Sequence, residues 1–478
     1  MTMNAGGNMS TNLSLPYIQV DLNMQEATLQ WISSAYSLTN GCFLLLAGRL
    51  ADVHGRKMVF IAGIVWYAIW SLAGGFMQTP VGLVVSRALA GSGAAMSIPS
   101  AIGIIASNFH GKSRSTAFAA FSAGAPVGGG LGLVLGGVLT EYSKYTWRST
   151  FFVFAGLAAG IAICAWFVIP NDELHTRDRR IDWVGAALVT IGLIFIQFAI
   201  SDGEVAPDEW KTWYIILLLI LGVGMTIAFF YWESYIVKHT SRPPLMRLQL
   251  WTRANGKLAS IYFIGFVSWA GFITLIYHTT LYFQQVQDTG VIDAMLRFLP
   301  TSIWGFACNV IVAFLVSRVP TQWLVCVGIL ATGLASVLMA LSSRTDIYWR
   351  YSFNAMWMGV MGADFLMACG SIFVAALALP EEQSVAGALF QTLVQLGGSF
   401  GLAITTVISD RIETQALAKG YSATDSLLQG LHAAFWLGAA CSFLALVAAV
   451  LMLRGMGKVG KVVKEHPVEE EVPEKQDV

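Results

Sequence analysis

Apolar runs of about twenty residues, recurring from one end of this chain to the other, decide what it can fold into. A helix needs about 20 such residues to cross a bilayer core. Runs of that kind are read at 30–49, 58–77, 81–106, 115–140, 149–169, 183–201, 212–232, 256–277, 298–317, 323–342, 352–378, 384–408 and 431–453. Only 12% of the 478 residues are charged and 56% are hydrophobic, where a soluble domain carries about 25% charged residues. Such a chain cannot cover a water-facing surface, so an all-α integral membrane protein is expected. The formal net charge is zero, and no basic cluster points to nucleic acid. The six cysteines (Cys42, Cys164, Cys308, Cys326, Cys369 and Cys441) fall in apolar runs without a C-x-x-C pair. Neither a disulfide framework, a metal site nor a cofactor is indicated. No cleavable signal peptide is visible.

Between the first two runs lies GRLADVHGRK, Gly48 to Lys57. A stretch with Arg49, Asp52, His54, Arg56 and Lys57 cannot lie in hydrocarbon, so it caps a tight hairpin between two membrane helices. Gly48 lets the helices approach, and Gly55 can take the positive φ of a sharp turn. Asp52 can pair with a neighbouring cation or sit near a helix N-terminus, where a carboxylate is favoured. The stretch closely resembles the loop signature of the major facilitator superfamily, G-x-L-a-D-x-x-G-R-K. The resemblance implies that Gly48, Asp52, Gly55, Arg56 and Lys57 brace the cytoplasmic gate.

Ahead of the first run, residues 1–18 carry Asn4, Asn8, Asn12 and several hydroxyls. They are too short and polar to cross convincingly. LSLPYIQVDL resembles the end of the family's first helix, so a first span cut short is expected. The sequons at Asn8 and Asn12 then read as accidental. With the Gly48–Lys57 loop placed in the cytoplasm, alternate loops put nineteen Lys and Arg residues inside and eight outside, and a cytoplasmic C-terminus follows. The layout is two six-helix halves with a central inserted pair, some thirteen or fourteen spans in all. Residues 1–170 form the first half, 171–255 the linkers with the inserted spans, 256–455 the second half and 456–478 a disordered tail. Twelve spans plus a central pair resemble the fourteen-span drug:proton antiporter branch, in which the substrate cavity lies between the halves.

Three features inside the spans carry the chemistry. Arg87, in LVVSRALAGSGAA, resembles the fourth-span signature L-x-x-x-R-x-x-q-G-x-g-a-a, with Ala90 where glutamine is usual. A charge at bilayer depth costs about 2.5–3.5 kcal/mol, so Arg87 faces a cavity, a partner or the interface. The family arginine is linked to proton transfer and coupling. Gly128, Gly132 and Gly136 recur every four residues, share one helix face and allow close helix approach. With Gly137 they resemble the antiporter signature G-x-x-x-G-P-x-x-G-G, although Leu133 replaces its proline and Pro126 lies seven residues earlier. That departure weakens the case for strict antiport.

Asp364 is the only acidic residue near the middle of any span, and suits a proton site or a cationic substrate. Gln391 and Gln395 are four apart and share a face. With Asn40 they are candidates for lining the cavity, while Gln197, Asn309 and Asn354 are weaker intramembrane polar groups. His278, Gln284 and Gln285 lie near the outer end of their helix and read as interfacial.

No catalytic constellation is present, and no phosphate-cradling G-x-x-x-x-G-K-[ST] loop, so an enzyme or ATP-driven pump is not expected. The wording of the later spans resembles fungal members of the branch, near the aminotriazole-, boron- and ammonium-related transporters. The resemblance implies a secondary transporter in the plasma membrane, or alternatively the vacuolar membrane. It would act as a monomer, with protons, lipid and a small molecule as its partners. Proton-coupled export of a small organic compound is the leading expectation. Movement of ammonium or borate is a second. A transport-dead receptor or truncated gene product is a third, raised by the short first span.

Overall fold

The structure is a computed structural model that describes residues 1–24, 31–171, 180–203, 206, 209–240, 244–316, 318–379 and 382–454. The expected tail 456–478 and the basic residues Arg177, Arg179 and Arg242 lie outside the described residues.

Each apolar run forms one helix. In chain order the helices are α1 (Thr2–Leu13), α2 (Leu15–Asp21), α3 (Trp31–His54), α4 (Arg56–Phe76), α5 (Pro80–Asn108), α6 (Gly111–Tyr142), α7 (Arg148–Val168), α8 (Trp183–Asp202) and α9 (Trp213–His239). They continue as α10 (Gln249–Thr252), α11 (Lys257–Leu281), α12 (Val291–Leu315), α13 (Thr321–Ala340), α14 (Ser352–Leu377), α15 (Gln383–Ala418) and α16 (Ala423–Met452). Among the described residues no strand occurs, and twelve helices are long and apolar enough to cross a membrane. The thirteenth expected span, α3, has 24 residues. At 1.5 Å per residue it is long enough to cross, but Ser33, Ser34, Thr39, Asn40, Arg49 and Asp52 make it less apolar than the rest.

The helices α1 and α3–α7 pack on one another, and α11–α16 pack on one another. Between these bundles run two seams, α6 against α12 and α3 against α15, with α5 and α14 adding contacts beside them. The pair α8 and α9 packs together, and α8 also touches α3 and α15. The other face of α9 is open, with Ile220 and Ile227 exposed.

Residues 1–18, expected to be a first span cut short, are helical from Thr2 to Leu13. That helix is docked. Gly128, Gly132 and Gly136 of α6 make its seat, because a side chain on them would lie 2.2 Å from the Thr2 carbonyl oxygen, 2.3 Å from that of Gly6 and 2.9 Å from Ser10 Cα. Only hydrogen leaves room for that backbone. The opposite face of α1 carries the asparagines. Asn4 Nδ2 donates to Ser97 Oγ at 3.3 Å, Asn8 Oδ1 accepts from Arg87 Nη2 at 2.7 Å, and Asn12 Oδ1 accepts from Ser33 Oγ. Asn4 and Asn8 are tolerated there because each finds a partner inside the bundle, while Asn12 is exposed.

Candidate functional site

The Gly48–Lys57 stretch defines what is called below the inner end of the molecule. There α3 stops at His54, Gly55 takes φ +100° and α4 begins at Arg56. The positive φ is why glycine stands at the turn. Four residues apart across it, Asp52 and Arg56 form a buried ion pair: Arg56 Nε and Nη2 donate to Asp52 Oδ1 at 3.1 and 3.0 Å. Arg56 Nη1 donates to the Gly103 carbonyl of α5 at 3.0 Å. The other carboxylate oxygen, Asp52 Oδ2, accepts the Val385 amide at 3.2 Å. Val385 lies in the first turn of α15, where unpaired amides and the helix dipole favour an anion.

Gly48 serves the same junction, since a side chain there would lie 2.9 Å from both the Ser384 carbonyl oxygen and Ala388 Cβ. Arg114 of α6 adds a second link across the bundles. Its Nη2 donates to the Ala106 carbonyl at 2.8 Å and the Ala375 carbonyl at 3.2 Å, close to the C-terminal ends of α5 and α14. Lys57 stands apart from this clasp. Its Nζ donates to Asn171 Oδ1 at 3.2 Å and lies 5.8 Å from the centroid of the Trp166 ring.

Asp364 lies midway along α14 and is 5% exposed. Its Oδ1 accepts from Asn309 Nδ2 of α12 at 2.9 Å, and its Oδ2 has no hydrogen-bond partner. That oxygen would lie 2.7 Å from a side chain at Gly305, and the same side chain would lie 2.6 Å from Pro126 Cβ of α6. The carboxyl thus abuts the seam where α6 meets α12, and the displaced proline of the glycine-rich helix packs beside it. The seam continues through Gly130, which faces Ser302, and Gly137, which faces Met295. Gly137 makes only ordinary contacts, with Leu13 Cδ2 at 3.4 Å and Met295 Sδ at 3.8 Å, and so differs from the three glycines under α1.

Arg87 is buried in the first bundle. Its Nε donates to the Ile32 carbonyl at 3.0 Å, its Nη2 binds Asn8, and its guanidinium lies 4.4 Å from the centroid of the Tyr36 ring. These partners belong to α1 and α3. The fold therefore does not bring Arg87 and Asp364 together, although both are buried.

On the two helices of the second seam, Asn40 of α3 and Gln391 of α15 are buried, with Asn40 Oδ1 and Gln391 Nε2 unpaired. Gln395 is half-buried and sits beside Gly41, its Cβ 3.7 Å from where a Gly41 side chain would begin. His278 is buried rather than interfacial, with Nδ1 2.9 Å from the Thr274 carbonyl oxygen. A ring can sink there because its own helix supplies a backbone partner. Gln284 and Gln285 are exposed.

Sequence reasoning passed over the buried acids Asp182, Glu233 and Glu382. Glu233 of α9 is 0% exposed and accepts the Leu245 amide at 3.1 Å. Asp182 accepts from Trp232 Nε1 at 3.0 Å, and both carboxylates crowd the place of a side chain at Gly185. Glu233 lies near the end of an apolar run, where a carboxylate reads as interfacial, and nothing local marks it as buried.

Among the described residues no group of three or more His, Cys, Asp or Glu side chains could hold a metal. The arrangement can do two things: hold the bundles together at the inner end, and keep one carboxyl at the seam between them.

Comparison with known proteins gives the same architecture. The sequence profile of the Major Facilitator Superfamily matches residues 1–402. The low affinity ammonium transporter of Saccharomyces cerevisiae is 30% identical, over 80% of this chain and 74% of its own. The efflux pump terG of Aspergillus terreus is 27% identical, over 89% of this chain and 79% of its own. Among solved structures, the human organic anion transporter MFSD10 (TETRAN) superposes with a TM-score of 0.62 at 14% identity, covering 94% of this chain and 97% of that one.

Proposed function

Because the chain belongs to the major facilitator superfamily and is an integral multi-pass membrane protein, we propose that it exports a small organic compound in exchange for protons. It would do so by alternating access across the plasma membrane. The observation that carries this reading is Asp364, a buried carboxyl at the contact of Pro126 with Gly305 and with one oxygen unpaired. A charge in such a place needs a counter-charge or hydrogen bonds, and a proton is the smallest neutraliser. Neutralising and ionising Asp364 in turn would change how well the α6/α12 seam packs, and so bias one arrangement of the bundles over the other. The Asp52–Arg56 pair, with Gly48 and Gly55, would act as the cytoplasmic gate. The glycines under α1 would keep the first bundle rigid while it moves. The likeness to a named efflux pump supports export of an organic compound.

The test is transport in a pump-deficient yeast loaded with a panel of toxins, azoles, ammonium and borate at two external pH values. Efflux of an organic compound should grow with the inward proton gradient and be lost in Asp364→Asn at normal expression. Undiminished, still pH-dependent export by that variant would remove Asp364 from the mechanism. The 30% identity to a low affinity ammonium transporter favours a second reading, movement of a small inorganic species. Ammonium flux without organic efflux in the same panel would select it.

A further inference from the structure

The transport reading leaves the hairpin of α8 and α9 without a task. The structure lays α8 across the line where α3 meets α15. Towards its C-terminal end Phe198 packs on Trp31 of α3, ring centroids 4.9 Å apart. Its neighbour Gln197 is buried in a helix that is otherwise almost wholly apolar. Gln197 Nε2 donates to Ser399 Oγ of α15 at 3.0 Å. Gln197 Oε1 lies 3.3 Å from where a side chain at Gly41 of α3 would begin, and 4.0 Å from Cys42 Sγ. One side chain of the inserted hairpin thus touches both bundles.

The same seam leads to the inner gate. Along α15 the contacts with α3 run from Val385 against Asp52, through Ala388 against Gly48, to Gln395 against Gly41. Ser399 follows one helical turn after Gln395. Helices are stiff over such lengths, so α15 cannot swing away from Asp52 at one end without loading its contact at Ser399. We propose that Gln197 is a positioning residue: from the inserted hairpin it clamps α15 against α3 through Ser399, and so helps hold the inner gate shut. This rests on the reading of the Asp52 loop as a gate. A hydrogen bond between helices in a bilayer is modest, and removing one shifts a two-state equilibrium about threefold. The clamp therefore tunes the gate without locking it.

The experiment uses the purified full-length chain with Ser384→Cys as a reporter and with Cys164 and Cys441 replaced by alanine. Ser384 is buried at the gate, 2.3 Å from the place of a side chain at Gly103. The rate of labelling by a water-soluble maleimide then reads gate opening. Asp52→Asn should speed labelling, which tests the gate itself. Gln197→Ala and Ser399→Ala should each speed it about threefold, and the double variant no further than either single one. Ile220→Ala, on the exposed face of the hairpin, should leave it unchanged, and the unfolding temperatures of the Gln197, Ser399 and Ile220 variants should stay level. If Asp52→Asn speeds labelling while Gln197→Ala and Ser399→Ala do not, or if their effects add, the clamp is overturned and the gate stands. If Asp52→Asn has no effect either, the gate reading falls and the clamp with it.

Discussion

The Asp52 carboxylate joins two parts of the chain that are 333 residues apart: one oxygen holds Arg56 in an ion pair and the other accepts the Val385 amide. Both side chains of the pair are buried. Removing one partner of a buried pair leaves the other uncompensated and costs about 3–5 kcal/mol. Asp52→Asn and Arg56→Ala should therefore lower the unfolding temperature of the purified protein sharply. Arg56→Lys should recover little, because a lysine cannot reach Asp52 and the Gly103 carbonyl with a rigid fork. A melting curve equal to that of the parent chain would show that the pair contributes nothing.

The seat of α1 makes a contrast between neighbouring glycines. A methyl group at Gly132 would lie 2.3 Å from the Gly6 carbonyl oxygen, whereas at Gly129 the nearest atom is Met9 Cγ at 3.9 Å. Gly132→Ala should destabilise the protein by about 1–3 kcal/mol, the usual cost of overpacking, and should expose α1 to limited proteolysis. Gly129→Ala should do neither. Equal behaviour of the two variants would place α1 elsewhere.

Arg87 is held by three partners of different kinds: a backbone carbonyl, an amide oxygen and an aromatic face. A lysine keeps the charge and loses the geometry. Arg87→Lys should thus behave much like Arg87→Ala in expression and thermal stability. Asn8→Ala should reproduce part of the loss, about 1–3 kcal/mol for an unpaired charge-assisted donor. A lysine variant as stable as the parent would mean that charge alone matters at this position.

Glu233 offers a test of whether its charge or its oxygen is needed. Glutamine retains an acceptor for the Leu245 amide, whereas leucine leaves that buried donor unpaired at a cost of about 1–3 kcal/mol. Glu233→Gln should melt close to the parent chain and Glu233→Leu clearly below it. The opposite order would show that the negative charge itself anchors the hairpin.

The Asn4, Asn8 and Asn12 spacing shows where sequence reasoning stops. In the sequence these asparagines mark residues 1–18 only as polar. The sequence did not say that the stripe of Thr2, Gly6 and Ser10 would meet Gly128, Gly132 and Gly136 while the asparagine stripe met Ser97, Arg87 and Ser33. Each stripe is meaningful only against its partner helix. Pro126 makes the same point. By spacing it stands out of place in the glycine-rich signature, yet in the fold it packs at Gly305 beside Asp364.

By itself the sequence determined the all-α membrane architecture, the positions of the spans, the turn at Gly55 and the family. Those properties are written in runs, periods and short motifs, because apolar length fixes a span and a local φ fixes a turn. Only the tertiary structure decided that Asp52 meets Val385, that Asp364 lies at a seam and Arg87 does not join it, and that Gln197 spans two bundles. Those contacts join residues tens to hundreds of positions apart. Between apolar helices in a bilayer the choice of partner is set by close packing and a few hydrogen bonds, and neither leaves a periodic trace in the chain.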